Sequence, residues 1–451
     1  FVHMRKCSFF LALLMVIGLF IPITAEGVSF SPSLDIYSEA VYMVNLNSGE
    51  VVYKKNENKS LYPASLTKIM TAVILLEQYK DKPDELKKTL VSAPSSAFDD
   101  FAGQNVSTAD IRIGEKVSYE DLLYALLLPS ACEAANIIAY NVGNGNINNF
   151  VKMMNDKAKE LGCTNTNFAN AHGLNDASQV TSARDMAIIT RYAMSLPRFT
   201  DIANTTTHTL AATSVHPNGT LVKHTNAMLF AGQYSYKYAK GIKTGTLDEA
   251  GRCLISTASK DGVDYLIVSM KAPMKDQDGN NKFYNCLDHI TLYNWAFGKL
   301  SYAKILDKNT VLTHIAVDYG KDAVHVNLTA KDDFTALWPK DVDYKTAVRQ
   351  KYIMEDSVIA PVKQGDKLGK LELIYNGDVI FTTDLIAAQS VKRNVPKYKI
   401  SVAKQFPSSN MMRIAIYICI GIIALYTTFF IFKNKKKRRK KFRTKTSKKR
   451  F

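Results

Sequence analysis

The chain has 451 residues, enough for two or three domains, and its 47% apolar and 22% charged residues are ordinary for a globular protein. Its net charge of +17 is concentrated at one end, because residues 433–450 hold 13 lysines and arginines and no acidic residue. With Arg5, Lys6 and Arg413 also set aside, 42 basic residues remain against 41 acidic ones. The body is therefore nearly neutral and carries no base-reading motif, so we do not expect it to bind nucleic acid.

The first residues have the order of a secretory signal peptide. Arg5 and Lys6 precede an apolar run from Phe9 to about Ile21, and Ile23-Thr24-Ala25 follows, although Ile23 is larger than usual at its position. We expect residues 1–25 to be a signal peptide cleaved after Ala25, with an uncleaved anchor as the alternative. Four of the six cysteines then lie in the exported body, too few for a disulfide scaffold, and the sequence does not choose among pairings.

Residues 26–299 are predicted to form one α+β domain. Strand-like runs at both ends flank a mostly helical stretch, residues 81–195, which is inserted between them. The predicted strands are residues 40–46, 51–54, 238–246, 252–258 and 265–270. The predicted helices are residues 65–76, 122–128, 133–140, 150–161, 183–194 and 289–297.

The remaining chain is predicted to be a small all-β domain (300–388), a stalk (389–413), a transmembrane helix (414–432) and a basic tail (433–451). The 19 uncharged residues of the helix span roughly 28 Å at about 1.5 Å per residue, close to the thickness of a bilayer core. Positive residues stay cytoplasmic, so we expect a single-pass cell-membrane protein with its body outside and its tail inside. The helix and tail are expected to contact membrane lipid.

Three short motifs carry candidate chemistry. Ser65-x-x-Lys68 opens an apolar helix, so the two side chains lie on one face, one turn apart. Burial disfavours a charged lysine and lowers its pKa, and a neutral lysine beside a serine provides a nucleophile with its own base. Ser130 lies in a predicted helix break, and Lys243-Thr244-Gly245 lies on a predicted strand.

The order and surroundings of these motifs resemble the low-molecular-mass penicillin-binding proteins, which are serine-type D-alanyl-D-alanine carboxypeptidases. The resemblance runs from Ala40 to Ala387. It implies a penicillin-binding/β-lactamase-like domain, in which an antiparallel sheet is flanked by helices, followed by a C-terminal β domain. It also implies a peptidoglycan stem peptide ending in D-Ala-D-Ala as substrate, β-lactams as inhibitors, and neither a cofactor nor a metal.

The resemblance assigns catalytic roles to three residues. Ser65 attacks the penultimate D-Ala carbonyl and forms an acyl-enzyme. Lys68 takes the serine proton, and the nearby positive charge of Lys243 helps to lower the pKa of Lys68. Ser130 relays a proton to the departing D-Ala nitrogen.

The strand motif and its neighbour are implied to bind the substrate. Lys243 and Thr244 hold the terminal carboxylate, and Gly245 lets the substrate backbone lie against the strand. The backbone N–H groups of Ser65 and Thr246 form the oxyanion hole.

One residue departs from the family pattern. The second motif of the family is Ser-x-Asn, and Cys132 stands at the Asn position, where the amide hydrogen-bonds the substrate and Lys68. A thiol is smaller and a weak hydrogen-bonding group. The change has three possible consequences: slower catalysis, a changed substrate preference, or acylation without useful turnover. We expect retained but reduced activity.

Of three rival functions, the sequence argues against a β-lactamase and leaves an endopeptidase and a scaffold open. A class A β-lactamase needs a Glu-x-x-x-Asn arrangement between the second and third motifs, and neither Glu133 nor Glu160 has an Asn four residues later. A D,D-endopeptidase would use the same residues on cross-links. A membrane-anchored wall-binding scaffold would have Cys132 as the mark of a decayed site.

Two further residues, His172 and Arg252, each have a structural and a functional interpretation. His172 is predicted to be structural, near a turn, and Arg252 either adds positive field beside the strand motif or is a plain strand residue. The oligomeric state, the role of the β domain, and a role in growth or in sporulation do not follow from the sequence.

Overall fold

The computed structural model describes residues 28–446 except Ser31, Ala102 and 406–409, so the expected signal peptide lies outside the described residues. The chain divides into two compact units. The first runs to Ala303 and includes Thr335–Ala347, and the second comprises Lys304–Phe334 and the chain from Val348 onward. Residues 335–347, expected in the β domain, thus cluster with the first unit.

The strands are β1 (Ala40–Asn45), β2 (Val51–Lys55), β3 (Leu90–Ser92), β4 (Lys116–Ser118), β5 (Thr207–Leu210), β6 (Thr220–Lys223), β7 (Ala239–Leu247), β8 (Gly251–Lys260), β9 (Val263–Ala272), β10 (Leu300–Leu306), β11 (Val311–Asp318), β12 (His325–Ala330), β13 (Phe334–Pro339), β14 (Arg349–Met354), β15 (Ser357–Ile359), β16 (Lys367–Tyr375) and β17 (Asp378–Ala387). The α-helices are α1 (Lys68–Gln78), α2 (Glu85–Lys88), α3 (Tyr119–Leu127), α4 (Cys132–Val142), α5 (Ile147–Glu160), α6 (Ala183–Ser195), α7 (Phe199–Ala203), α8 (Tyr284–Lys299), α9 (Tyr344–Ala347), α10 (Val395–Gln405) and α11 (Asn410–Thr446). Short 3₁₀ turns cover Ala64–Thr67, Ser95–Phe101 and Ala227–Leu229.

The first unit is built on an antiparallel sheet with strand order β2-β1-β9-β8-β7. Side chains alternate between its faces, as the period of two in a strand requires. Ile255 and Val268 join the apolar cluster of the helical region, whereas Leu254 and Ile267 join the cluster that contains Leu292 of α8. The predicted α+β fold is confirmed, with β7 at one edge of the sheet.

Helix α1 lies at the centre of the helical region, because every residue from Lys68 to Leu76 is buried. The sequence predicts Ser65 within this helix. It lies instead in the 3₁₀ turn Ala64–Thr67 that leads into α1. Ser118 caps the N-terminus of α3, since its side chain accepts a hydrogen bond from the Asp121 N–H at 3.0 Å.

The second unit contains a six-stranded sheet of order β14-β16-β17-β12-β11-β15, antiparallel except for the β11–β15 pair. Helix α10 occupies much of the expected stalk. It packs against its own unit, since the centres of the Tyr398 and Tyr319 rings lie 5.5 Å apart. Among the described residues, Arg413–Lys436 is the one helical segment long and apolar enough to cross a membrane.

Candidate active site

The three motifs meet at one cleft of about 210 Å³ in the first unit. Its lining contains five predicted site residues: Ser65, Ser130, Thr244, Gly245 and Thr246. Seven further residues line it, namely Ser107, Thr225, Ala227, Arg252, Phe283, Asn285 and Cys286. The other predicted site residues, Lys68, Cys132 and Lys243, are buried.

Ser65 and Lys68 are in direct contact. The Lys68 Nζ lies 3.1 Å from the Ser65 Oγ, because the 3₁₀ turn and the first residue of α1 place the two side chains together. The Lys68 Nζ also donates a hydrogen bond to the carbonyl of His172 and lies 3.5 Å from the Cys132 Sγ. A neutral amine has two hydrogens and one lone pair, so it can donate to the carbonyl and the thiol while it accepts from the serine hydroxyl.

The surroundings of Lys68 favour this neutral form. Its side chain is fully buried, and burial lowers its pKa from the ordinary value of 10.5. Cys132 and the buried carboxyl of Glu133 act in the opposite direction and offset part of this effect. The structure therefore agrees with the expected direction of the shift and identifies burial as its main cause.

Ser130 joins α3 to α4 with a backbone that few residues adopt. Its φ is 70°, in the left-handed region, and the chain on its C-terminal side is held by a hydrogen bond from the Cys132 N–H to the Ser107 carbonyl at 2.9 Å. The Ser130 Oγ is buried and has no hydrogen-bond partner within the described chain. A strained backbone and an unsatisfied hydroxyl that lines a cleft together indicate a functional side chain.

Lys243 and Gly245 point to the opposite side of β7 from Thr244. Lys243 is fully buried, and its Nζ donates to the Thr244 carbonyl at 3.0 Å. Its pKa is lowered well below 10.5, first by burial and then by repulsion from Lys68 whenever that lysine is protonated. A Cβ added at Gly245 would lie 3.2 Å from the Ser65 backbone nitrogen, so a side chain here would push β7 and the serine turn apart by a few tenths of an ångström.

Two contacts of the site were not predicted from the sequence. The Thr225 Oγ1 lies 2.5 Å from the Thr244 Oγ1, so two hydroxyls converge at the cleft. His172, predicted to be structural, also supplies the carbonyl that binds Lys68. Its ring is held because Nδ1 accepts from the Leu174 N–H at 3.1 Å and Nε2 donates to Asp100 at 3.1 Å. Burial lowers the pKa of His172 to about 4, which keeps the ring neutral.

Comparisons with known proteins agree with this geometry. Residues 26–274 match the family model described as D-alanyl-D-alanine carboxypeptidase, and residues 301–393 match the C-terminal domain of penicillin-binding protein 5. The D-alanyl-D-alanine carboxypeptidase DacF of Bacillus subtilis is 28% identical over 79% of this chain and 86% of its own length. A D-alanyl-D-alanine endopeptidase of Pseudomonas aeruginosa is 29% identical over 63% of this chain and 87% of its own length.

Solved structures give the same result. Penicillin-binding protein 5 from Haemophilus influenzae superposes with a TM-score of 0.58 at 26% identity, over 81% of this chain and all of that one. The family model alone covers more than half of the chain. The chain therefore belongs to the D-alanyl-D-alanine carboxypeptidase family of penicillin-binding serine hydrolases.

Proposed function

We propose that this protein removes the terminal D-Ala from peptidoglycan stem pentapeptides through an acyl-enzyme on Ser65. The observation that carries the proposal is the 3.1 Å contact between the Ser65 Oγ and the Nζ of a fully buried Lys68. It supplies a nucleophile and its base in one contact, at the wall of a cleft that can hold a peptide end.

Acylation begins when the Ser65 hydroxyl gives its proton to Lys68 and its oxygen attacks the penultimate D-Ala carbonyl carbon. The negative charge that forms on the carbonyl oxygen is stabilised by the N–H groups of Ser65 and Thr246. Ser130 gives its proton to the peptide nitrogen as the C–N bond breaks and takes up the proton that Lys68 received, so free D-Ala leaves and Lys68 is neutral again. Its buried, unpartnered hydroxyl supports this relay.

Deacylation completes the cycle. Water gives a proton to Lys68 and attacks the ester carbonyl, and Ser65 regains its proton as the shortened peptide leaves. A β-lactam acylates Ser65 by the same attack, but its leaving nitrogen stays tethered to the acyl group. We expect slow release of that adduct, because no Glu-x-x-x-Asn follows the second motif to activate water.

The substrate binds at the edge of the sheet. β7 has a partner strand on one side and the cleft on the other, so a peptide can lie along it as an added strand. The hydroxyl of Thr244 faces the cleft and binds the carboxylate end of the peptide. Lys243 helps to bind this carboxylate from its buried position behind the strand. Cys132 stands beside Lys68, where the family has the amide of an asparagine.

We also propose the expected membrane topology. The apolar segment within α11 anchors the protein, its basic tail remains in the cytoplasm, and both units face the cell wall. Membrane lipid contacts the anchor and the tail. Protease added to intact cells should remove the body and leave the tail, and the opposite pattern would contradict this topology.

Covalent labelling tests the proposed nucleophile. Fluorescent penicillin should label the full chain and the Ser195→Ala control, in which an exposed serine outside the cleft is changed. It should not label Ser65→Ala. Failure to label the unaltered chain would favour the scaffold alternative. Product analysis separates the two peptidase activities, because a carboxypeptidase releases free D-Ala and an endopeptidase converts cross-linked dimers into monomers.

A further inference from the structure

The cleft contains a charged group that the proposed steps do not use. Among the described residues that line it, Arg252 is the one with a charged side chain. Lys68 and Lys243 are cations by type, but both are fully buried and both have lowered pKa values. A guanidinium stays protonated at any physiological pH, so Arg252 supplies the permanent positive charge of the cleft.

The register of the sheet gives the direction of this side chain. Arg252 on β8 is paired with Thr246 on β7, and Thr244 lies two residues before Thr246. Directly paired residues share a face, and so do residues two apart, so these three side chains lie on one face of the sheet. The Arg252 guanidinium carbon lies 4.3 Å from the centre of the Phe283 ring, which fixes it beside the cleft.

Arg252 has no anionic partner among the described residues. None of their carboxylates forms an ion pair with it, and partial burial lowers the pKa of the guanidinium from its ordinary value of 12.5. Its Nε is buried and makes no hydrogen bond within the described chain. Proteins seldom leave a buried guanidinium nitrogen unsatisfied, so this donor points to an absent acceptor.

We propose that Arg252 is a specificity-determining residue that binds the free carboxylate at the end of the substrate, together with the hydroxyls of Thr225 and Thr244. The inference rests on the proposed function, because both a D-Ala-D-Ala peptide and a β-lactam carry a free carboxylate close to the bond that reacts. A guanidinium matches a carboxylate with two parallel N–H donors. The two hydroxyls lie 2.5 Å apart, so one donates to the other and the second is left to donate to the carboxylate.

Acylation by matched acid and ester compounds tests this role. The full chain is incubated with a penicillin and with its methyl ester, and the rate of mass gain is followed by intact-protein mass spectrometry. Arg252→Gln should slow acylation by the acid about 10- to 100-fold, the value of a hydrogen-bonded charge pair, and should leave the rate with the ester within about twofold. The rate of acylation of Arg252→Lys by the acid should lie between those of the unaltered chain and Arg252→Gln, because lysine keeps the charge but lacks the paired donors.

A control and the contrary outcomes make the test decisive. Lys260→Gln removes a cation from the other end of the same strand, outside the cleft, and should change neither rate. If Arg252→Gln slows acylation by the acid and by the ester equally, the role of Arg252 is merely structural. If the rate with the acid is unchanged, Arg252 has no role in acylation. Either result overturns the inference while the proposed function stands. An unaltered chain that neither compound acylates would instead contradict the proposed function, and the inference with it.

Discussion

The Nζ of Lys68 lies 3.1 Å from the Oγ of Ser65, inside a core where Lys68 is fully buried. Its other two neighbours, the His172 carbonyl and the Cys132 thiol, are hydrogen-bond acceptors for a lysine. The three contacts use the two hydrogens and the lone pair of a neutral amine, so the arrangement prepares Lys68 to accept the serine proton.

This contact predicts the pH dependence of acylation. The ammonium form of Lys68 has no lone pair, so the acylation rate should fall as the pH falls through the pKa of Lys68. Burial lowers that pKa, and the rise in rate should therefore have its midpoint below 10.5. Stopped-flow measurement of acylation by a chromogenic β-lactam from pH 5 to 10, roughly the range in which most proteins stay folded, gives the midpoint.

Lys68→Arg is the matched variant for this measurement. It keeps the positive charge but cannot lose its proton, so acylation should fall by about 10²- to 10⁴-fold at every pH. A rate that keeps rising up to the ordinary lysine value would contradict a lowered pKa. Substantial acylation by the Arg variant would show that Lys68 is not the base.

Cys132→Asn should raise the rate of D-Ala release by about two- to tenfold, because an amide oxygen accepts a hydrogen bond from Lys68 better than a thiol does. The measurement is D-Ala released from a D-Ala-D-Ala peptide by equal amounts of active enzyme, with the amount set by penicillin labelling of a separate sample. Cys132→Ala, which removes the 3.5 Å contact with Lys68 altogether, should be slower than the unaltered chain. An Asn variant slower than the Ala variant would mean that this site has adapted to the thiol.

Gly245→Ala should slow acylation by about tenfold or more, because the added Cβ would lie 3.1 Å from the Ala64 Cβ and 3.2 Å from the Ser65 nitrogen. The nucleophile would have to move with its turn. Gly298→Ala is the matched control, since that position in α8 faces open space and Ala favours a helix by up to about 1 kcal/mol. The control should keep full activity and melt at a slightly higher temperature, whereas equal activity of both variants would refute the close approach.

Buried histidines predict acid sensitivity of the first unit. His289 is fully buried between the hydroxyls of Ser256 and Ser269, and burial lowers its pKa to about 3 from 6.5. As the pH falls, His289 is therefore protonated in the unfolded chain before it is protonated in the folded chain. The stability that neutral His289 contributes is present above pH 6.5 and is lost as the pH falls towards 3, at about 1.4 kcal/mol per pH unit.

Urea unfolding at pH 7, 6 and 5 measures this slope. Both tryptophans, Trp295 and Trp338, belong to the first unit, so their fluorescence reports its unfolding. His289→Asn should be less stable at pH 7 but should lose less stability on acidification. His216→Asn should have the opposite effect on the slope, because hydrogen bonds to Glu115 and Asp110 raise the pKa of His216. Identical slopes in all three chains would contradict the assignment.

The sequence was most informative for side chains whose contact is determined by a short spacing along the chain. Ser65 and Lys68 are three residues apart, and a helix or 3₁₀ turn brings such side chains together whatever surrounds them. Lys243-Thr244-Gly245 was predicted on a strand, and the motif lies on β7. Periodicity alone did not show that the turn at Ser65 is 3₁₀, since both helix types place apolar residues on one face over so short a length.

Contacts between distant segments account for what was not predicted. The His172 carbonyl is 104 residues from Lys68 in the chain, and a backbone oxygen leaves no mark in the sequence. Thr225 meets Thr244 because of the path of the chain before β7, which no local pattern encodes. Arg252 was noted beside the strand motif, but its unsatisfied nitrogen and its place against Phe283 required the fold.

The central claim is that Ser65 removes the terminal D-Ala from a stem pentapeptide. Its most direct test is mass spectrometry of a purified muropeptide pentapeptide after incubation with the full chain in detergent, beside Ser65→Ala. We predict that the unaltered chain converts the pentapeptide to the tetrapeptide and releases free D-Ala, and that Ser65→Ala leaves it intact. A pentapeptide left intact by the unaltered chain while penicillin still labels Ser65, or shortened equally by both chains, would contradict the claim.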